Sequence, residues 1–167
     1  DKMGADFFMS LNSIHTRLTP DAIAIQLPIG AESEFTGVID LIERKAYGFE
    51  GQMGEKVIEI EVPEDMKEQM EEYRGMLVEK IAENDETLME KFLEDQEITI
   101  PELKEGIRKA TIAGSIYPVM CGTALQNKGV QIMLNAVIWY LPNPLDVPAI
   151  QGTVPGTEEA ITREPKN

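Results

Sequence analysis

The segment IYPVMCGTALQNKGVQIMLNAVIWYL, residues 116–141, constrains the fold of this chain more than any other. Residues 116–121 form an apolar run of strand length, Gly122 interrupts it, and after a short loop a helix-period pattern continues until Pro142 stops it. The order is strand, loop, helix. In the helical part Val130, Leu134, Val137 and Leu141 recur at i, i+4, i+7 and i+11, a stripe expected to face a sheet, with Asn127 as the expected N-cap. Trp139 lies about half a turn from Val130 and is expected to be at least partly exposed. In open α/β sheets ligands occupy the crevice beyond the carboxyl ends of strands, and residues 122–125 lie at such an end. The loop is the first candidate for chemistry, although an ordinary strand-to-helix turn has the same local pattern.

Upstream, Phe7, Leu11, Ile14 and Leu18 are spaced four, three and four apart, which predicts an amphipathic helix over residues 6–18. His15, the sole histidine, lies beside that stripe with no partner in view and reads as structural. Residues 22–27 suit a buried strand, Pro28, Gly30 and Gly37 bracket a loop, and strands are predicted at 38–42, 45–49 and 57–62. In the last of these Ile58, Ile60 and Val62 alternate with Glu59 and Glu61, so one face is dry and one wet.

After Pro63 the pattern becomes helical and acidic. Residues 64–97 hold 13 acidic and 4 basic side chains. Met66, Met70, Tyr73, Leu77 and Ile81 share one side of a helix, and Glu68, Glu72, Glu79 and Glu83 fall on nearly the opposite side. A shorter helix near residues 86–93 is expected to bury Leu88, Phe92 and either Met89 or Leu93. Thr99-Ile100-Pro101-Glu102 is a capping-box pattern that opens a third helix, with Gly114 as its expected C-cap. Beyond Pro142, Asn-Pro-Leu-Asp-Val-Pro reads as a stiff linker, and residues 147–167 carry too few apolar side chains for a core of their own. They look like the opening of a further domain.

With 167 residues a chain can bury about two thirds of its unfolded surface, so a real core is available. Thirty acidic against 15 basic residues give a net charge of -15, which argues against direct affinity for a nucleic-acid backbone. Cys121 is the only cysteine, which excludes an internal disulfide framework and a Cys-cluster zinc site; in an apolar strand it reads as a buried, inert thiol. No apolar run approaches about 18 residues and no charged-then-apolar leader opens the chain, so the default expectation is a cytoplasmic protein without membrane contact. A phosphate-cradling Gly-x-x-x-x-Gly-Lys-Ser/Thr sequence is absent from the 167 residues.

Residues 121–131, CGTALQNKGVQ, resemble the last guanine-recognition motif of translational GTPases of the elongation factor G family, where a small-Gly-Ser-Ala-Leu loop precedes Lys-Asn-Lys-Gly-Val-Gln. Thr123 stands for the usual Ser and Gln126 for the usual Lys. The opening DKMGADFF is similar to the continuation of that family's Asn-Lys-x-Asp motif, with Asp1 as its final aspartate. Residues 25–30 (IQLPIG), 35–41 (FTGVIDL) and 140–148 (YLPNPLDVP) extend the resemblance over essentially the whole chain.

The resemblance implies an α/β fold with an α+β insert: a remnant of a P-loop GTPase sheet plus an inserted subdomain of small antiparallel sheet and acidic helices. Residues 1–18 and 115–142 would belong to the GTPase domain, 19–114 to the inserted subdomain, and 143–167 to a linker and the start of domain II. The parent protein would bind GTP or GDP with Mg²⁺ and hydrolyse GTP to drive translocation of tRNA and mRNA on the ribosome. Asp1 would accept hydrogen bonds from guanine N1 and the exocyclic amine, the Ala124 N–H would donate to the guanine oxygen, Thr123 would brace the loop, and Leu125 would pack near the base. No catalytic residue, Mg²⁺ ligand or other metal ligand is expected within this fragment, which is expected to be inactive alone. The acidic helix, through Glu68, Glu72, Glu79 and Glu83, is similar to the surface by which the family meets the ribosomal stalk protein. An interaction module without nucleotide activity is the alternative reading, and a plain solvated helix face explains the same four glutamates.

Overall fold

The computed structural model describes residues 1–146, 149–156 and 160–164. The fold is mixed α/β, with one parallel strand pair and antiparallel sheets. Helix α1 (Phe7–Arg17) starts where the Asp6 carboxylate accepts the Met9 N–H at 2.8 Å. It buries Leu11, whereas Leu18, just past its end, is exposed. His15 Nε2 donates to the Ala22 carbonyl at 2.7 Å, a structural contact between α1 and the strand that follows.

The apolar run 22–27 is not one strand. It forms β1 (Ala22–Ala24), which pairs in parallel with β6 (Tyr117–Val119), and then β2 (Gln26–Ile29), the edge of a four-stranded antiparallel sheet in the order β2, β3 (Gly37–Asp40), β4 (Lys45–Glu50), β5 (Lys56–Ile60). Ile25 is the joint: its N–H donates to Val119 O at 3.0 Å and its carbonyl accepts from the Leu41 N–H at 3.1 Å. β1 falls within residues 19–114 yet pairs with a strand from residues 115–142. Pro28 sits inside β2 opposite Val38 rather than in a loop, and the edge position tolerates its missing N–H.

Alternation then sorts the sheet. Leu27, Ile39 and Ala46 are fully buried and join a core with Met70, Leu77, Ile81, Leu103 and Ile107. Those side chains come from α2 (Lys67–Ala82) and α4 (Ile100–Ile112). Met66 and Tyr73 are partly buried against the same core, so the predicted apolar side of α2 is the packed one. Arg74 is also buried there, donating to Leu41 O at 2.5 Å and Ile42 O at 2.8 Å. The short helix α3 (Glu86–Leu93), capped by Asp85, buries Leu88 but leaves Phe92 and Leu93 exposed, because only its Leu88 side meets α2 and α4. α4 begins in the predicted capping box, with Thr99 and Glu102 each bonded to the other's backbone N–H, and Gly114 follows its end at φ 72°.

Helix α5 (Val130–Tyr140) departs from the predicted stripe. Tyr140 is buried and Ala136 partly so, whereas Leu134, Val137 and Leu141 are about half exposed. The buried side is turned by about a third of a turn from the expected one. Two causes are visible: the β1–β6 pair is only two strands wide, and α5 is drawn toward α4, where Arg108 donates to the carbonyls of Trp139 (2.9 Å) and Leu141 (3.3 Å). Trp139 is 56% exposed, with Lys104 Nζ 5.6 Å from its ring centroid. Beyond Pro142 a turn closes through Asn143 and Asp146, and Asp146 is paired with Arg108. The hairpin β7 (Ile150–Thr153) and β8 (Ala160–Arg163) follows, mostly exposed; Val147 and Pro148 of the predicted linker lie outside the described residues. Among the described residues no helix is long and apolar enough to cross a membrane.

Candidate functional site

The loop between β6 and α5 is closed by backbone bonds in both directions. Thr123 N–H donates to Lys128 O at 2.9 Å, Lys128 N–H to Thr123 O at 3.0 Å, and Asn127 N–H to Ala124 O at 3.2 Å. Only glycine fits at position 122, since a Cβ there would stand 2.7 Å from the Lys128 carbonyl. Because Lys128 is held back against Thr123, the chain turns helical only after Gly129, which occupies the N-cap position. Asn127 is therefore not the cap; it takes a left-handed conformation at φ 55°, which asparagine tolerates better than most residues.

Two contacts clamp this loop to the antiparallel sheet. Lys128 Nζ donates to Phe35 O at 3.1 Å, in the β2–β3 connection, and the buried Gly54 of the β4–β5 turn lies against the Gln126 carbonyl. Nothing in the linear sequence marks Lys128 as an anchor, since its partner is a backbone carbonyl 93 positions away.

Thr123 is buried, and its Oγ1 accepts the Gln126 N–H at 3.4 Å, so the hydroxyl braces the loop from inside. Ala124 and Leu125 are exposed, and the bonds that close the loop leave their N–H groups unused among the described residues. Asp1 meets this loop despite a separation of 125 positions: its Oδ2 accepts from Gln126 Nε2 at 3.4 Å. Gly4, in the same opening segment, donates its N–H to Glu32 Oε1 at 2.6 Å and so ties that segment to the β2–β3 connection.

The four loop-site residues do not surround one cavity. Asp1 lines a depression of about 320 Å³ with Phe7, Phe35, Cys121 and Gly122, and Thr123 and Ala124 line another of about 190 Å³ with Val130 and Met133. Cys121 and Gly122 form the shared wall, and Leu125, 74% exposed, lines neither. Burial pushes the Cys121 thiol up to about 12, so it carries no thiolate near neutral pH. This surface offers the Asp1 carboxylate as an acceptor, beside the Asp6 and Glu32 carboxylates that already accept the Met9 and Gly4 N–H groups, together with free backbone donors and a hydroxyl-braced loop, a set suited to reading the edge of a planar heterocycle. Among the described residues no three His, Cys, Asp or Glu side chains gather as a metal site.

The acidic residues lie elsewhere. Glu68, Glu72 and Glu79 are exposed along α2, and Glu83, its C-cap, is exposed and paired with Lys80 at 3.3 Å.

No protein-family model matches the chain. A protein of Thermus thermophilus, ttk003000868, whose crystal structure is known, shares the fold with a TM-score of 0.76 at 30% sequence identity over 87% of this chain. The chain spans 22% of that protein's length.

Proposed function

We propose that this chain is the part of an elongation factor G-type translational GTPase that closes the guanine pocket and carries the family's acidic subdomain. The observation that carries this reading is the meeting of Asp1 with the 122–129 loop, the two segments whose sequences resemble the family's base-recognition motifs. Asp1 supplies the acceptor and the Ala124 N–H the donor that guanine requires; adenine would present groups of the wrong sense to both. The exposed apolar residues of α5 and the two-stranded β1–β6 pair support a larger sheet completed by other parts of a parent chain. In the parent, GTP and Mg²⁺ supply the phosphoryl chemistry; the residues here read the base and hold the loop.

The test is the longest reading frame containing this sequence. It should encode Asn-Lys-x immediately before Asp1 and a phosphate-binding loop further upstream, and its product should hydrolyse GTP with ribosomes and lose GDP affinity on Asp1→Ala. A frame without that loop, or a product indifferent to guanine versus adenine, overturns the reading. The 167-residue chain alone should neither hydrolyse GTP nor bind GDP at micromolar or tighter Kd by calorimetry, since phosphates dominate such affinity and have no cradle here.

A second reading rests on the exposed glutamates of α2: they dock the basic surface of a ribosomal stalk protein, with electrostatic steering of the encounter. Changing Glu68, Glu72, Glu79 and Glu83 together to Gln should weaken that binding and flatten its salt dependence. Unchanged affinity at low salt removes it.

A further inference from the structure

A cleft of about 300 Å³ opens on the face of the antiparallel sheet opposite the buried core, between that sheet, α4 and α5. Gln26 and Asp40 stand directly opposite each other across β2 and β3, so both side chains project toward it. Gln26 is 1% exposed, and its Oε1 has no hydrogen-bond partner among the described residues. Gln131 of α5 reaches the same cleft. Its Nε2 donates to Gly54 O (3.4 Å) and Glu55 O (3.5 Å), which fixes the amide with Oε1 as the free end, and that buried oxygen is also unpartnered. Two buried amide oxygens without donors are costly in a folded protein and mark a place where donors are wanted.

The charges in the cleft agree. Glu43 accepts from Lys104 Nζ at 2.6 Å and from the Tyr47 hydroxyl at 3.0 Å, so this acid and this base cancel. Lys45, the cross-strand neighbour of Asp40, is engaged with Glu59 at 2.7 Å. Asp40 accepts the N–H groups of Ile42 and Glu43 at 2.8 and 2.9 Å and has no cationic side chain in salt-bridge contact among the described residues. Burial nevertheless pushes its carboxyl above the usual range, as for an anion short of a counter-ion.

We propose that this cleft binds a small organic cation carrying several N–H donors, of the alkylguanidinium or alkylammonium class, held by Gln26 Oε1, Gln131 Oε1 and the Asp40 carboxylate. The site is separate from the 122–129 loop and does not depend on the nucleotide reading. Trp139 lines the cleft and is the only tryptophan, so its emission reports occupancy.

The intact chain should be titrated with methylguanidinium, tetramethylammonium and acetamide in turn at fixed ionic strength. A saturable change in Trp139 emission is expected with methylguanidinium, at an affinity about tenfold or more above the other two, because one lacks donors and the other lacks charge. Gln26→Leu and Gln131→Leu should each weaken methylguanidinium binding about tenfold. The ligand-free melting temperature should be unchanged or raised in Gln26→Leu, which removes an unpaired buried oxygen, and lowered slightly in Gln131→Leu, which also removes the donor to the Gly54 and Glu55 carbonyls. Gln96→Leu, on the surface, is the control and should bind as the parent does. Should Gln26→Leu fail to fold, Gln131→Leu carries the test alone. Equal binding of tetramethylammonium, equal binding of acetamide, no saturable signal, or unchanged affinity in Gln131→Leu would each overturn the proposal.

Discussion

The antiparallel sheet with α2 and α4 and the β1–β6 pair with α5 end in opposite states, and it is the helix of more apolar sequence, α5, that stays exposed. In the first, Leu27, Ile39, Leu77, Ile81, Leu103 and Ile107 are inaccessible to solvent; in the second, Leu134, Val137 and Ile138 remain well exposed on a helix with no charged residue in its 11 positions, as does Leu141 at its end. A four-stranded sheet gives two helices a surface wide enough to cover. Two strands cannot do the same for α5, whose contacts are with α4 and the cleft. Apolar periodicity states what a helix can bury, and the width of its partner decides what it does bury.

The sharpest way to break this comparison is a matched pair of truncations. Leu77→Ala should cost about 2–5 kcal/mol in urea unfolding, as a cavity in a closed core, whereas Leu134→Ala should change stability by about 0.5 kcal/mol or less. Similar losses at both sites would mean that α5 is packed as tightly as the core. Next in size is Arg74→Met, which keeps the apolar stem but leaves the Leu41 and Ile42 carbonyls without their donor; about 1–3 kcal/mol should be lost.

Thr99→Ala should remove about 1 kcal/mol by opening the α4 capping box. Its partner adds a pH signature. Hydrogen bonds from Lys91 and Thr99 hold the Glu102 carboxyl down to about 2, against an ordinary value of 4.5. A depressed carboxylate contributes stability that is fully present above its unfolded value and is lost as pH falls through the folded one. Acid titration of stability between about pH 5 and pH 2 should therefore be shallower in Glu102→Gln than in the parent. The smallest effect is expected from changing Glu68, Glu72, Glu79 and Glu83 together to Gln: thermal unfolding should hardly move, because exposed charges contribute little to folding.

Much of the packed region was legible because its signals are local. The Thr99–Glu102 box, the Met70–Tyr73–Leu77–Ile81 side of α2, and the strands at 38–42 and 45–49 depend on residues within a few positions of each other. What escaped depends on partners far along the chain. The stripe on α5 looks like core in the sequence because periodicity carries no information on sheet width, and the cap is Gly129 rather than Asn127 because Lys128 pairs backwards with Thr123. The cleft had one visible trace, a glutamine at position 26 inside an otherwise apolar run, and it became interpretable only when the register placed Asp40 opposite. In the loop, the resemblance selected Asp1, Thr123, Ala124 and Leu125 together; the structure seats Asp1 beside the loop but gives Leu125 no wall to share with the other three.

Ile25 spends its N–H on one sheet and its carbonyl on the other, with no spare residue between them. A connection of this kind behaves as a weld rather than a hinge: the parallel pair and the antiparallel sheet cannot twist against each other without tearing one of the two bonds. A displacement of the antiparallel sheet is therefore passed to the β1–β6 pair with no slack in the chain at that joint.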